Sequence, residues 1–441
     1  MRQQTERQVG LEIERIAIWK DGSPFLYKTV TSPSGIKRPG ARELLKQLHQ
    51  AYGWKLVESH PGDPIGLETP TGKVSLEPGS QLEFALFPHK SLQEVEELLK
   101  EYDSQVDKII EPWKGLCFLG LAVNPVHRVE DIDVIPSPRY AIMTKVLGAS
   151  GSLGTSMMRR TSSVQINLDY TSEQEAIEML RISLLVAPIS TALFANSPFL
   201  DGKPSGFLST RSEIWRNTDP ARTGLLDDAF KMGFNFESYA KLLWHLPLMF
   251  VQNENGEYID AQGCSLKDIS EGELPEVTVN ATNMRSSVQQ LFTEGRLKPG
   301  YVEVRSVDGQ LPAYRLASAA FWMGLLYDKE ARKLAIELLG HLSASDRKEL
   351  SVATSRTGLQ TEFKGLKVLQ VADALVKASS LGLERRGKKE ESYLECLKEN
   401  VSLGQTPADK LLENFRTRWN GNVSEMLKSC QLTIEKTLGE K

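Results

Sequence analysis

The sequence of 441 residues predicts an α+β protein built on an antiparallel sheet. In the first two-thirds of the chain, four short segments alternate polar and apolar residues with a period of two, as strands with one polar face do. From about Ala317 the pattern is almost entirely helical, with apolar residues three and four positions apart. We therefore expect a mainly sheet-forming core over residues 1–316 and a helical region over residues 317–441 packed on it, together forming a single domain.

The four alternating segments carry an unusual set of polar residues. One polar face alone has an ordinary explanation, because an antiparallel sheet often exposes one face to solvent. This set differs because it is rich in carboxylates and amides and contains no lysine. Glu77 adds a further carboxylate just before the Pro-Gly turn that opens the second segment. In chain order, the polar faces carry Glu12 and Glu14; Gln81 and Glu83; Ser163, Gln165, Asn167 and Asp169; and Tyr301, Glu303 and Arg305.

A sheet face with several carboxylates predicts a metal and phosphate site. Carboxylates gathered on one concave face repel one another, and Mg²⁺ relieves that repulsion because it prefers oxygen ligands. In phosphoryl transfer, metals bridge the phosphate oxygens and an arginine offsets the developing negative charge. The pattern therefore favours a nucleoside triphosphate. The chain contains no GxxxxGK[ST] motif, which excludes a P-loop fold.

Two helix starts can be identified in the sequence, each before a segment whose apolar residues have helical spacing. Ser91 to Glu94 fits a capping box, and Thr171 to Gln174 fits a second one. We expect helices to begin directly after Ser91 and Thr171.

Composition argues against several other classes of protein. The net charge of −4 and the mixed signs along the chain disfavour a nucleic-acid partner. The four cysteines form no CxxC pair, as is typical of thiols in a reducing compartment. The longest apolar run, Ile182–Phe194, is too short and too polar to span a membrane, so we expect no membrane partner. With no apolar signal region or Arg/Ser-rich transit stretch at the start, we expect a cytoplasmic protein, as a monomer or weak homodimer.

The sequence resembles the glutamate–cysteine ligase family, specifically its plant-type branch. The matching stretches occur in family order and cover nearly the whole chain, so together they are more specific than any single motif. They are GLEIERI at 10–16, SLEPGSQLEFAL at 75–86, IPSPRYAIM at 135–143, SMMRRTSSVQINLDY at 156–170, the stretch at 184–224, YVEVRSVDGQLP at 301–312, FWMGLLYD at 321–328 and GLERRG at 382–387.

This resemblance implies a fold like the catalytic domain of glutamine synthetase. An antiparallel sheet would curl into a half-barrel with helices on its convex side, and residues 1–441 would form one catalytic domain. The implied reaction is the ATP-dependent phosphorylation of the γ-carboxylate of glutamate, followed by attack of an amine on the acyl phosphate. With cysteine as the amine, this is the first step of glutathione synthesis. Two or three Mg²⁺ ions would serve as cofactors.

The resemblance also implies roles for individual residues. Arg305 matches the phosphate contact and acts in catalysis together with Glu303, while Gln165 faces the same nucleotide. Arg139 and Arg211 match arginines that hold substrate, and a planar guanidinium suits a carboxylate. Asn167 faces the same cleft by strand parity. The implied Mg²⁺ ligands are Glu12, Glu14, Glu77, Glu83 and Glu303.

The chain departs from the family pattern on the acceptor side. The family has Asp-Trp-x-x-His before an FPEVRLK-like segment, where this chain has Asn283, Met284 and Ser287 before FTEGRLK. A family tyrosine corresponds to Met249. We therefore take Met249 and Ser287 as the altered acceptor-binding positions. Because Met249, Met284 and Ser287 replace a tyrosine, a tryptophan and a histidine, we expect weak cysteine affinity or a preference for a bulkier or less charged amine.

Two alternatives to a glutamate–cysteine ligase remain open. The same chemistry could serve a different amine in a peptide or natural-product pathway. A catalytically weak paralogue could instead have a binding or regulatory role, although the complete carboxylate set argues against it. Ala261 and Ala317 occupy positions that match regulatory cysteines of the plant enzymes. We therefore expect no redox control of activity.

Overall fold

The first predicted strand, Val9–Trp19, lies in the middle of a large antiparallel sheet in this computed structural model, which describes residues 6–31 and 35–432. The strands of the described residues are, in chain order, β1 Val9–Trp19, β2 Val30–Thr31, β3 Lys37–Arg38, β4 Lys55–His60, β5 Asp63–Glu68, β6 Gly72–Leu76, β7 Leu82–His89, β8 Leu116–Leu119, β9 Ser163–Asp169, β10 Phe199–Leu200, β11 Lys203–Pro204, β12 Thr223–Gly224, β13 Phe250–Gln252, β14 Tyr258–Asp260, β15 Phe292–Thr293, β16 Gly295–Lys298, β17 Tyr301–Asp308, β18 Glu362–Phe363, β19 Leu366–Lys367 and β20 Gln431–Leu432.

The α-helices of the same described ranges are α1 Ala41–Tyr52, α2 Leu92–Ile110, α3 Pro138–Ser150, α4 Gly154–Arg160, α5 Glu173–Leu193, α6 Thr210–Arg216, α7 Phe236–Trp244, α8 Leu266–Ser270, α9 Ala281–Gln289, α10 Pro312–Tyr327, α11 Lys329–Leu339, α12 Ala344–Thr357, α13 Val368–Arg386, α14 Glu395–Leu403, α15 Pro407–Thr417 and α16 Val423–Cys430.

The sheet brings the four predicted strands next to one another. Its order is β16-β17-β9-β1-β7-β6-β5-β4, and every one of these pairs is antiparallel. β8 pairs with the second half of β1, and β20 pairs with β8. The sheet is open. The four alternating segments of the sequence are β1, β7, β9 and β17, which are neighbours in space despite long separations in the chain.

The apolar face of the sheet packs against helices. Leu11 and Ile13 of β1 and Val164 and Ile166 of β9 are buried in the main core, to which α5 and α10 also contribute. Burying such a side chain stabilises the fold by about 1.5–3 kcal/mol. The predicted α+β class, with an antiparallel sheet and a helical last third, is confirmed. The division between residues 316 and 317 stays a prediction, and α10 begins at Pro312.

Two helix starts test the predicted capping boxes. Ser91 caps α2, with its hydroxyl accepting a hydrogen bond from the Glu94 N–H at 3.3 Å. The second start lies one residue later than predicted, because Ser172 caps α5 by accepting from the Glu175 N–H at 3.2 Å. Thr171 instead donates its hydroxyl to the Glu175 carboxylate at 2.9 Å. Neighbouring hydroxyl residues compete for this cap, and the sequence alone did not separate them.

The predicted apolar run at 182–194 belongs mostly to the longer helix α5. This helix has 21 residues and, by length and composition only, is long and apolar enough to cross a membrane, because it extends beyond the run visible in the sequence. However, 89% of its apolar window is buried inside the protein, as in the core helix of a soluble protein. The absence of a membrane partner stays a prediction.

Candidate active site

The register of the sheet aligns the predicted polar residues on one face. Residues directly opposite one another in antiparallel strands point to the same side of the sheet. The opposed pairs, taken from β7 towards β16, are Glu83 with Glu14, Gln165 with Glu12, Asn167 with Glu303, and Glu303 with Arg296.

Amide side chains of β9 orient the two carboxylates of β1. Gln165 donates from Nε2 to Glu14 Oε1 at 3.0 Å, and Asn167 donates from Nδ2 to Glu12 Oε1 at 2.9 Å. Arg305 donates from Nη1 to Gln165 Oε1. Each amide therefore holds one oxygen of a glutamate and orients that carboxylate on the sheet face.

The turn between β6 and β7 positions Glu77. The Glu77 N–H donates to the carbonyl of Gln81, and the Ser80 N–H donates to the carbonyl of Glu77, both at 2.9 Å. Glycine is required at position 79, because a Cβ there would lie 2.4 Å from the backbone oxygen of Arg159. Gln81 links the turn to the C-terminal end of α4 by donating hydrogen bonds to the carbonyl oxygens of Met158 and Thr161. The Pro-Gly motif thus places Glu77 beside the sheet face.

A cavity of about 470 Å³ lies over this face, a size suited to a small-molecule ligand. Its walls come from several separate elements. Their apolar and aromatic members include Tyr140 and Met143 of α3, Trp215 of α6, Phe250 of β13 and Phe292 of β15. The charged side chains that line the cavity are the carboxylates Glu12, Glu14, Glu77, Glu83 and Glu303 and the cations Lys73, Arg139, Arg296, Lys298 and Arg305.

Four of the five carboxylates repel one another. Burial, with repulsion from Glu303 and Glu83, raises the pKa of Glu12 to about 7. Burial, with repulsion from Glu14, raises the pKa of Glu83 to about 7. Burial also raises the pKa of Glu14, and burial with repulsion from Glu83 raises that of Glu77 well above its usual range. Such a set needs compensating positive charge, which a divalent cation supplies.

The donor set fits Mg²⁺, although the described residues contain no group of three His, Cys, Asp or Glu side chains that already converges as a metal cluster. Protein-bound Mg²⁺ commonly uses one or two carboxylates and completes its octahedron with water and substrate phosphate. Glu12 and Glu14 line the cavity and can supply such oxygens, with Glu77 and Glu83 beside them.

Glu303 has different surroundings from the other four carboxylates. Arg296 donates to it from both Nε and Nη2, the latter at 3.2 Å, and Arg305 donates from Nη1 at 3.2 Å. Although burial opposes the shift, Arg296, Lys298 and Arg305 lower the pKa of Glu303 to about 2. In this structure Glu303 therefore binds arginines, and its role as a metal ligand stays a prediction.

Sequence reasoning missed Arg296 and Lys298. They lie on β16 two residues apart, and the pairing of Arg296 with Glu303 turns them towards the cavity. The signal was available as alternation in the segment GRLK, immediately before the turn that leads into YVEVRSVDG. The segment is too short for alternation alone to identify a strand.

The two predicted substrate arginines lie in different places. Arg139 lines the cavity, donates from Nη2 to the Tyr140 hydroxyl at 2.8 Å and lies over that ring at 4.6 Å. Arg211 is buried behind the cavity wall, where its Nη2 donates to the backbone carbonyl of Arg305 at 3.0 Å. The structure thus brings Arg139, but not Arg211, to the cavity.

The structure does not place Met249 or Ser287 at the cavity, so this part of the acceptor prediction is corrected. Met249 is fully buried, its N–H donates to Gln290 Oε1 at 2.7 Å, and the next residue, Phe250, lines the cavity instead. Ser287 is also buried and donates to the carbonyl of Met284 within α9. Neighbouring residues face opposite ways here, which the family pattern could not reveal.

Several relatives of this chain are plant enzymes. It is 38% identical over 400 residues to glutamate–cysteine ligase B, chloroplastic, of Oryza sativa subsp. japonica, covering 89% of this chain and 79% of the relative. It is also 38% identical over 391 residues to the chloroplastic glutamate–cysteine ligase of Arabidopsis thaliana, covering 88% and 74%. The expectation of a cytoplasmic protein is contradicted, because these relatives are chloroplastic. Composition near the start of the chain was a poor basis for assigning a compartment.

Solved structures support the fold. A glutamate–cysteine ligase of Francisella tularensis in complex with AMP superposes with a TM-score of 0.61 at 14% identity, covering 99% of this chain and 90% of that one. A bifunctional glutathione synthetase of Pasteurella multocida superposes with a TM-score of 0.54 at 14% identity, covering 97% and 53%. The model of glutamate-cysteine ligase family 2 matches residues 42–429. The chain belongs to glutamate-cysteine ligase family 2.

Proposed function

We propose that this protein is an ATP-dependent glutamate–cysteine ligase, which makes the γ-glutamyl amide that begins glutathione synthesis. Membership of the family and the names of the plant relatives support this function. The observation that carries it is the joining of five glutamates and Arg305 in one cavity of suitable size. Those residues come from distant parts of the chain, and the fold assembles them on one sheet face.

The first step would join glutamate and ATP. An oxygen of the γ-carboxylate attacks the terminal phosphorus of ATP, the bond to the bridging oxygen breaks, and ADP leaves. We assign Glu12, Glu14, Glu77 and Glu83 to holding Mg²⁺, which when bound would neutralise the phosphate oxygens. We assign Arg305, which donates to Gln165, to offsetting the charge on the transferred group.

The second step would form the amide. The acceptor nitrogen attacks the acyl carbon, phosphate leaves with the electrons of the C–O bond, and the nitrogen loses a proton. Arg139 is our candidate for holding a substrate carboxylate, because its guanidinium lines the cavity beside Tyr140. We assign Asn167 to orienting Glu12 and Arg211 to supporting Arg305, since neither lines the cavity in this structure.

A second candidate function uses the same chemistry with another amine. It is favoured by the side of the cavity that β13, α9 and β15 form. That wall presents Phe250, Phe292 and one amide, Gln289, to the cavity. Hydrogen-bonded recognition gives the largest specificity ratios, so a wall with few donors selects less sharply among acceptors. An inactive paralogue is disfavoured by the complete set of carboxylates.

The deciding experiment measures phosphate release with glutamate, Mg²⁺ and ATP against a panel of amines, with product identification by mass spectrometry. We expect γ-glutamylcysteine to form and cysteine to have the highest kcat/KM. A higher kcat/KM for another amine would favour the second candidate. Failure of every amine to stimulate phosphate release would overturn both. The oligomeric state, monomer or weak homodimer, stays a prediction that light scattering can check on the same sample.

A further inference from the structure

Lys298 lies at the cavity edge of the sheet, and the reaction outlined above gives it no role. It is the last residue of β16, which ends at the Pro299–Gly300 turn, and Gly300 has a φ of 92°. In register, Arg296 opposes Glu303 and Lys298 opposes Tyr301. The period of two therefore turns both cations towards the cavity, which Lys298 lines.

The ammonium group of Lys298 has little compensation within the protein. Its Nζ is 3.7 Å from Glu303 Oε1, which is an ion pair but longer than a hydrogen bond. Glu303 already accepts hydrogen bonds from Arg296 and Arg305. Within residues 6–31 and 35–432, no group accepts a hydrogen bond from Lys298 Nζ, although an ammonium carries three donors. Its side chain is only 13% exposed, so water compensates for little of this deficit.

The charges around the cavity are segregated. The lining carries five carboxylates and five cations, but three of the cations, Arg296, Lys298 and Arg305, surround a single carboxylate, Glu303, at the β16–β17 edge. The remaining four carboxylates lie towards β1 and β7. This edge therefore has an excess of positive charge in a shielded place, which suits a bound polyanion.

We propose that Lys298 donates hydrogen bonds to phosphate oxygens of ATP, alongside Arg305. The assignment rests on the proposed function, because that function supplies the triphosphate. Four carboxylates on one side of the cavity suit metal, and three cations on the other suit phosphate oxygens that the metal does not cover. A lysine serves as a compact point charge for phosphate, whereas the planar arginines are already held by Glu303 and Gln165.

The test compares nucleotide binding in four proteins. Isothermal titration calorimetry with the non-hydrolysable analogue AMP-PNP and Mg²⁺ is applied to wild type, Lys298→Met, Lys298→Arg and Lys377→Met. Lys377 is an exposed lysine of α13 that pairs with Asp373, so it is a matched control. We expect Lys298→Met to bind roughly 10- to 100-fold more weakly, since a hydrogen bond to a charged group is lost. Lys298→Arg should recover part of the affinity, and Lys377→Met should match wild type.

Kinetics separates a phosphate contact from other roles. Lys298→Met should raise KM for ATP and leave KM for glutamate unchanged. Unchanged AMP-PNP affinity in that variant would overturn the proposal. So would a variant that shifts the pH profile of kcat while binding nucleotide as wild type does, because Lys298 would then act on a proton.

Labelling of the wild-type protein keeps the test independent of variant folding. Acetylation of lysines by an N-hydroxysuccinimide ester is followed by mass spectrometry with and without saturating Mg²⁺ and AMP-PNP. We expect at least about fivefold protection of Lys298 and none of Lys377. If a wild-type protein that binds nucleotide shows equal labelling of Lys298 with and without nucleotide, this inference is wrong, and the proposed function is unaffected. A wild-type protein that neither binds nucleotide nor forms product would instead contradict the proposed function.

Discussion

The Arg211 guanidinium donates a hydrogen bond from Nη2 to the backbone carbonyl of Arg305 at 3.0 Å. That carbonyl lies in an irregular part of β17, where the register with β9 shifts between Val304 and Val307. The shift leaves the carbonyl to be satisfied from outside the ladder, and Arg211 satisfies it. The orientation of the Arg305 side chain towards the cavity thus depends on Arg211, which lies behind the cavity wall.

The first prediction concerns Arg211→Lys. A lysine lacks the planar fork and leaves the Arg305 carbonyl poorly held. We expect kcat/KM to fall at least about 100-fold for glutamate and ATP alike, which corresponds to about 2.7 kcal/mol of transition-state stabilisation. Steady-state kinetics with each substrate varied in turn measures this. A rise in KM for glutamate alone would instead support direct contact with glutamate.

The second prediction concerns the carboxylates without metal. Mg²⁺ should raise Tm by offsetting repulsion among Glu12, Glu14, Glu77 and Glu83. Glu83→Gln should keep the hydrogen bond from the Ser75 hydroxyl, match or exceed the Tm of wild type in EDTA, and gain less from Mg²⁺.

Differential scanning fluorimetry in EDTA and in MgCl₂ checks this, with Glu413→Gln on α15 as an exposed control. EDTA should also abolish turnover in wild type. An equal Mg²⁺ response in wild type and Glu83→Gln would remove Glu83 from the metal site, and full turnover in excess EDTA would remove the metal altogether.

The third prediction concerns Glu303→Gln, which should abolish phosphate release. The structure predicts that the variant is also less stable than wild type. Neutralising Glu303 leaves Arg296, Lys298 and Arg305 without their shared carboxylate, and breaking a buried pair costs about 3–5 kcal/mol. Urea unfolding together with a phosphate-release assay measures both effects. A variant with the stability and the turnover of wild type would contradict both the expected loss of activity and the expected loss of stability.

The fourth prediction is that oxidation does not switch the activity. Cys117 and Cys430 are buried, and Cys264 and Cys396 are partly buried. Burial raises the pKa of Cys117 and of Cys396 to about 12, so at neutral pH almost none of either thiol is in the reactive thiolate form. Activity before and after treatment with an oxidant, and again after reduction, should agree within error. A several-fold change that Cys117→Ser or Cys264→Ser removes would refute this.

The sequence by itself determined which residues share a face of each strand. The period of two put Glu12 and Glu14 together, and likewise Gln165 with Asn167 and Glu303 with Arg305. The structure keeps these pairs because the apolar partners on the other face, such as Ile13 and Ile166, are fully committed to the core. The resemblance to one family then predicted the fold, and the family match confirmed that resemblance.

Tertiary structure decided which of these residues reach the cavity and what compensates their charge. Phe250 faces the cavity and Met249 does not, because Gln290 of the neighbouring segment fixes the backbone there. Arg296 and Lys298 joined the site through the pairing of a four-residue strand with β17, which no local pattern could establish. Strand parity is a local property of the chain, whereas register and wall contacts depend on residues far away in sequence. For that reason the sequence predicted the carboxylate row and Arg305 but not the two cations of β16.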